Sequence, residues 1–423
     1  MKEQNELPEL TLEHLKEASK PGGPSTLTER TLLEPAAGMD GIVAPAKYAS
    51  TRTDGATYVF EDRYMPLDED GRVTVSGKPT KQGERRRVVL IDSRTSQSNR
   101  AEEYIVQAME DEASVFAKMP RIKVTYTSED EVGNPIERVA YDVTLPHRAF
   151  DAHIRIGEID GRPASNYPEY IQARNATPAN LNPLFKLSPV TVAFGAWDST
   201  RNKNQLRLPS PYNGEIIGVT ANQKEDAVVF RSGARIDPIE ASITFTKDDA
   251  KNVADIIGSA ISDKLKAKFK KEARSSIIGL GAIPPQAEGA VDGIAVSDIV
   301  RIHVLSFSML RALHFGYGKE GDESIRVLIA AMILAAMAGS NTELNIRANC
   351  MLRESAAPST VLDKRYGKSI ELTPLTLEHA EELLKDAYEY AKEKTGLDWH
   401  GQTLEVTGNP LVIKNATAET DNE

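Results

Sequence analysis

The chain has 423 residues, 40% hydrophobic and 27% charged, with 51 basic against 62 acidic side chains and a net charge of −11. These proportions exclude collagen-like, wholly disordered and membrane-spanning chains, and a single cysteine, Cys350, excludes an intrachain disulfide or a cysteine-based zinc centre. The longest strongly apolar run, Val327–Ala338, is shorter than the roughly 20 residues that cross a bilayer, and the opening residues lack a secretory apolar core, so the expectation is a cytoplasmic protein with no membrane partner.

A negative total argues against a nucleic-acid partner, because phosphate binding requires Lys and Arg to displace condensed counterions. The distribution of charge changes that reading. Glu371–Glu423 holds 12 acidic and 4 basic residues, a net of −8, which leaves −3 for the rest. Lys81–Arg100 and Ser262–Arg274 each hold six basic and two acidic residues, +4 apiece. The field is segregated into two basic patches and an acidic C-terminal end, which the net charge alone hides.

In chain order, residues 1–25, with Pro21–Pro24 reading Pro-Gly-Gly-Pro, are expected as a mobile lead-in, and folded structure near Leu27. Arg87–Ile91 is a β-branched strand, Asp92–Ser98 a polar loop and Asn99–Glu112 a helix. Arg121–Tyr126 and Glu137–Val143 flank Gly133-Asn134 as a protruding hairpin over 121–143. The span 163–240 reads as a loop-rich insertion, with a short strand near Val190–Phe194. A strand at Ala241–Phe245 precedes Thr246 and Asp249, which have capping-box spacing and open one long amphipathic helix to about Ser275. A Gly/Pro loop (Gly279–Gly289), a strand or short helix at Ile299–Leu305, a buried helix at Ser324–Ala338 and a last helix from Thr373 or Thr376 to Lys394, stopped by Gly396, complete the body. Residues 415–423 read as a disordered acidic tail. The pattern gives an α+β class, with one domain over 26–414 carrying large insertions.

The segment Asp92-Ser-Arg-Thr-Ser-Gln-Ser-Asn-Arg100 concentrates hydroxyls, amides and two arginines where a strand hands over to a helix, a grouping suited to phosphate oxygens. The plainer alternative is a single helix cap beside solvated arginines. Phe194–Arg201 with Arg207 interleaves aromatics and cations, and Trp197 either stacks on an unpaired base or fills an irregular core. The basic run Lys264–Lys271 suits a helix C-terminus, and Lys264, Lys268 and Lys271 share a face that RNA or a partner subunit could use. Gly279-Leu-Gly281 lacks the third glycine of a dinucleotide fingerprint, there is no Walker loop or nucleophile elbow, and the dispersed histidines have no metal spacing. No catalytic residue, metal or cofactor is expected. Cys350, in an apolar and apparently helical context, is expected to be an inert buried thiol.

The stretch Arg87–Glu103, Leu33–Gly38, Val192–Arg201 and the Arg207-Leu-Pro-Ser-Pro-Tyr212 motif together resemble the CRISPR-associated backbone subunit of type I-G (formerly I-U) Cascade, in the repeat-associated mysterious protein superfamily, over about Arg30 to Leu352. The resemblance implies a palm of the RNA-recognition-motif (ferredoxin-like) type, with insertions forming finger and thumb elements. It also implies copies stacked along CRISPR RNA, contacts with other Cascade subunits, and target DNA reached through guide pairing in antiviral defence. Carried over by position, it designates Arg94, Ser96, Gln97, Ser98, Asn99 and Arg100, with Trp197, Arg201 and Arg207, as RNA-contacting. The alternative within the same superfamily is an endoribonuclease that processes CRISPR RNA, using His147 or His153 as acid or base.

Overall fold

The computed structural model describes residues 7–415 except 50–55, 76–82, 130–132, 204, 225–227, 236, 241–242 and 348. In place of one domain over 26–414, the chain forms two compact units: Met1–Gln223 with Val296–Glu423, and Lys224–Ala295. The class is mixed α+β, as expected, with thirteen α-helices among the described residues.

The first unit is built on a nine-stranded sheet. Its order is Asn345–Arg347, Cys350–Glu354, Thr26–Pro35, Val296–Ser306, Tyr212–Thr220, Glu84–Asp92 and Phe60–Met65, with Ser359–Asp363 also pairing Thr26–Pro35 and carrying Ser369–Leu372. Alternation in Thr26–Pro35 sends Leu27, Glu29, Thr31 and Leu33 to a buried face. Leu27 and Leu305 join the main core beneath the helices, whereas Val88, Ile217, Val219 and Val300 pack with Met65 and Val73 in a separate cluster.

The helical layer centres on Gly318–Thr342, which is longer than the expected 324–338. It is long and apolar enough to cross a membrane, with a mean hydropathy of 1.6, yet 83% of that window is buried inside the protein. Arg94–Ala108, Leu377–Thr395 and Leu12–Ser19 pack around it. Gly339 makes one close approach possible, because a Cβ there would lie 2.3 Å from Tyr104 ring carbons. Leu12–Ser19 corrects the expectation of a lead-in: Thr11 and His14 form a reciprocal cap, and Leu10, Leu15 and Ala18 are buried in the main core. Leu377–Thr395 ends as expected, with Thr376 capping its start and Gly396 left-handed (φ 71°) at its end.

The 121–143 hairpin forms as Arg121–Glu129 with Pro135–Tyr141, inside a five-stranded sheet where Thr403–Thr407 runs parallel to the first strand. The loop-rich stretch is more regular than expected. Pro168–Arg174, Asn182–Leu187 and Pro189–Ala193 are helices, each with proline in its first turn, and the last replaces the strand expected near 190–194. Cys350 lies on a strand, not a helix, buried in a setting that lifts its thiol pKa to about 11. The 415–423 tail lies outside the described residues after Asn415.

The second unit holds a hairpin of Val228–Arg235 with Ile283–Ile294, so much of the expected Gly279–Gly289 loop is strand. The single helix expected from Thr246 to about Ser275 is two, Lys247–Ile257 and Asp263–Glu272, because Gly258 turns to φ 58°. Thr246 caps the first as expected. Ala250, Ala254, Phe269 and Ala273 form the small core, with Phe245 edge-on to Phe269. The strand expected at 241–245 begins at positions outside the described residues, and Thr244 bridges Arg274.

Candidate nucleic-acid interface

The motif expected as a loop is the first two turns of the Arg94–Ala108 helix. Asp92 ends its strand, Ser93 caps the helix by accepting the Ser96 amide at 3.3 Å, and helical spacing then divides the motif between two surroundings.

One half points inward. Gln97 is buried; its amide nitrogen donates to Asp92 Oδ2 at 2.5 Å and its oxygen lies 3.0 Å from His303 Nε2. Arg100 Nε donates to the same carboxylate at 3.0 Å, and its other nitrogens donate to the carbonyls of Asn345 and Ile346. These contacts continue an internal polar layer. Asn341 Nδ2 donates to Glu29 at 2.9 Å, and Arg301 donates to Glu354 at 2.6 Å. Burial pushes the Glu29 carboxyl up, and burial with the nearby Arg301 charge pushes His303 well below its ordinary value, so the imidazole is neutral. Gln97 and Arg100, expected as RNA contacts, are thus engaged by internal partners that fix the helix on the sheet.

The other half faces outward. Arg94, Thr95 and Asn99 are exposed and Ser98 half-buried, all lining a cleft of about 460 Å³. Ser210 and Asn213 line its other side. Ser96 is half-buried and its amide is occupied by the cap. The cleft floor is set by Arg148, which donates to both Glu102 oxygens and, at 2.7 Å, to the Gly195 carbonyl. Burial raises the Glu102 pKa despite that partner. Arg148 takes a left-handed backbone (φ 47°) to make these contacts.

Trp197 and Arg207 are brought together on a short hairpin, Ala196–Trp197 with Arg207–Leu208, where the Arg207 guanidinium lies 4.1 Å from the Trp197 ring centre. Trp197 is 46% exposed, which removes the core-filler alternative. Arg201 differs: it donates to the Arg174 carbonyl and to Asn175, holding the loop that follows the hairpin's first strand.

The +4 of Lys81–Arg100 is only partly offset in space, since the pairs of Arg86 with Glu84 and Arg100 with Asp92 are already counted in it and Asp62 comes from outside the segment. Arg85 pairs with Asp62 at 2.5 Å, Arg86 with Glu84 at 2.8 Å and Arg100 with Asp92. Arg94 stays 64% exposed, 3.6 Å from Glu215, which is itself bound by Arg63. Sequence reasoning missed Arg148, Ser210 and Asn213, which reach the cleft from distant segments. The Ser210-Pro-Tyr212 motif, noted beside Arg207, was the only available signal. No cluster of metal-ligating side chains occurs among the described residues.

The fold and this surface define a mixed α+β protein with a polar, cation-bearing cleft where a strand of an antiparallel sheet enters a helix. Residues 27–223, which hold the motif helix, the Trp197 hairpin and the Tyr212–Thr220 strand, match the family model described as CRISPR-associated protein GSU0053. That match places the chain among CRISPR-associated proteins, consistent with the GSU0053 type, and supports a role in CRISPR defence. The match ends at residue 223, where the first unit gives way to the second. No curated protein matches the chain.

Proposed function

We propose that the chain is a non-catalytic CRISPR-RNA-binding backbone subunit of a type I-G (formerly I-U) Cascade complex. It polymerises along the guide and presents it for pairing with target DNA, in the cytoplasm and beside other Cascade subunits. The observation that carries this reading is the split motif helix: its buried face is anchored by Gln97 and Arg100, and its exposed face opens Arg94, Thr95, Ser98 and Asn99 into a polar cleft. Hydroxyls, amides and a guanidinium at a helix start suit phosphate and ribose oxygens and carry no base preference, as a subunit that binds any guide requires. Trp197 with Arg207 adds a stacking and cationic element.

The palm is read as the RNA-recognition-motif type, supported by Arg94–Ala108 and Gly318–Thr342 packed together against one antiparallel sheet. The hairpin Arg121–Glu129 with Pro135–Tyr141 is the thumb candidate, its second strand largely exposed. The subunit is read as non-catalytic because His153 is engaged by the Tyr126 hydroxyl at 2.7 Å, and no hydrogen bond links it to His147 among the described residues.

Guide-length RNA should co-purify with the protein and form assemblies that lengthen with the guide. Arg94→Ala with Asn99→Ala should weaken that binding, most at low salt, because the wild type has the steeper salt dependence. Wild-type affinity in the double variant would remove this cleft from the RNA path. Cleavage of repeat RNA lost in His147→Ala or His153→Ala would replace the structural reading with the nuclease one.

A further inference from the structure

Across the sheet from the cleft, Lys364-Arg365-Tyr366-Gly367-Lys368 turns between Ser359–Asp363 and Ser369–Leu372. Tyr366 is 100% exposed, the most exposed large side chain of the apolar and aromatic set. The turn beneath it is firmly held. Lys364 N donates to the Lys368 carbonyl at 2.9 Å, Lys368 N to the Arg365 carbonyl at 3.0 Å and Arg365 N to Asp363 at 2.9 Å. The Asp363 carboxylate also accepts the Ser25 amide at 2.9 Å. Arg365, Tyr366 and Gly367 are all left-handed (φ 67°, 53° and 73°), a conformation unfavourable for the two that are not glycine. A rigid turn thus presents one aromatic ring wholly to solvent, flanked by Arg365 and by Lys368, which has no ion-pair partner among the described residues.

The turn and the cleft lie at one end of the sheet. Tyr212 is opposite Leu305, Ser306 opposite Thr26, and Leu27 opposite Leu362. Backbone hydrogen bonds join the same ends: Ser306 N to the Pro211 carbonyl at 2.8 Å and Phe307 N to the Ser25 carbonyl at 2.9 Å. Three strand spacings, about 14 Å, therefore separate the Tyr212 strand from the strand that leads into the turn. Burial against the protein does not account for an aromatic ring here, since Tyr366 is fully exposed. A ring that is fixed, exposed and set between cations has the chemistry of a platform for an unpaired base whose phosphates meet Arg365 and Lys368.

We infer that Tyr366 is a base-stacking contact for the guide RNA, extending the RNA path from the Arg94–Asn213 cleft across the sheet end to the 364–368 turn. This inference rests on the RNA-binding reading above. The test is fluorescence anisotropy with labelled single-stranded RNA of guide length, on the full chain, for wild type, Tyr366→Ala, Tyr366→Phe and Arg94→Ala. Tyr366→Ala should weaken binding roughly 5- to 150-fold, the span of one lost base–aromatic stack. Tyr366→Phe should bind like wild type, and the difference between Ala and wild type should vanish on an abasic RNA. Because the side chain is fully exposed, the Ala variant should fold normally. Unchanged affinity in Tyr366→Ala beside weakened Arg94→Ala would overturn this contact and leave the RNA-binding reading intact. Absence of binding by the wild type would overturn both. Loss of self-association in Tyr366→Ala at unchanged RNA affinity would assign the turn to a neighbouring copy and overturn the stacking role.

Discussion

Replacing Arg94 and Arg100 separately by alanine should separate two roles that lie within one short motif. The Arg100 side chain is 20% exposed and its Asp92 partner 6%, and the same carboxylate holds Gln97. Removing Arg100 leaves a buried carboxylate with one amide partner and frees two backbone carbonyls, of Asn345 and Ile346. Breaking a buried pair costs roughly 3–5 kcal/mol, and partial solvation of Arg100 places the loss near the lower end, about 3 kcal/mol. Asp92→Ala added to Arg100→Ala should cost less than Asp92→Ala alone, since the charge it strands is already gone. Arg94, 64% exposed, should cost under about 0.5 kcal/mol. Its loss should instead make the log–log dependence of RNA affinity on salt shallower by about 0.7, the share of one phosphate contact on a single strand. Chemical unfolding and salt-titrated RNA binding on each variant measure both quantities. If Arg100→Ala keeps wild-type stability and shows the shallower salt slope, the division of the helix into anchor and contact faces is wrong.

Other outcomes follow from the same geometry. Asp142 is wholly buried, and burial lifts its pKa from 3.8 to about 6, opposed by the Ser188 hydroxyl and the Ile122 and Val143 amides. The folded state then binds the extra proton between those values, so stability should fall by roughly 2 kcal/mol as pH rises from about 4 to 6.5. Asp142→Asn should flatten that stretch of the stability–pH curve, and an unchanged curve would refute it. Gly339→Ala places a methyl against the Tyr104 ring; it should destabilise by about 1–3 kcal/mol where an open helix site would gain about 1, measured by unfolding midpoint. Trp197→Ala, at a 46% exposed position, should leave the midpoint nearly unchanged while weakening single-strand binding by about 1–3 kcal/mol; a large midpoint shift with normal binding would make Trp197 structural.

Much of the local structure was legible because its causes are local. The strand before Asp92, the 121–143 hairpin, the Thr246 cap and the Thr376-to-Gly396 helix each follow from β-branched runs, turn residues or caps within a few positions. Ser, Thr and Asn favour turns over helix interiors, so the sequence predicts the motif helix only from Asn99. Its buried residues Gln97, Ala101, Ile105 and Ala108 lie at helical spacing, however, so a start at Arg94 would have exposed the pattern. The Leu12–Ser19 helix was missed behind its polar surroundings, since only packing of Leu15 and Ala18 against the long core helix reveals what it contributes.

By itself the sequence determined many of the element types and capping points, and the motif whose residue types suit phosphate and ribose. Those depend on neighbours along the chain. Tertiary structure alone decided which of those residues reach solvent. Arg94 and Arg100 are six positions apart, so helical rotation sends one to the cleft and the other onto Asp92 and the carbonyls of Asn345 and Ile346. The same long-range pairing gave Arg85 of the +4 segment a carboxylate from a neighbouring strand, Asp62. It also brought Ser25, Ser210 and Tyr366, far apart in sequence, to one end of one sheet. Charge counts along a chain sum what is near in sequence, whereas a nucleic acid meets only what folding leaves exposed and unpaired.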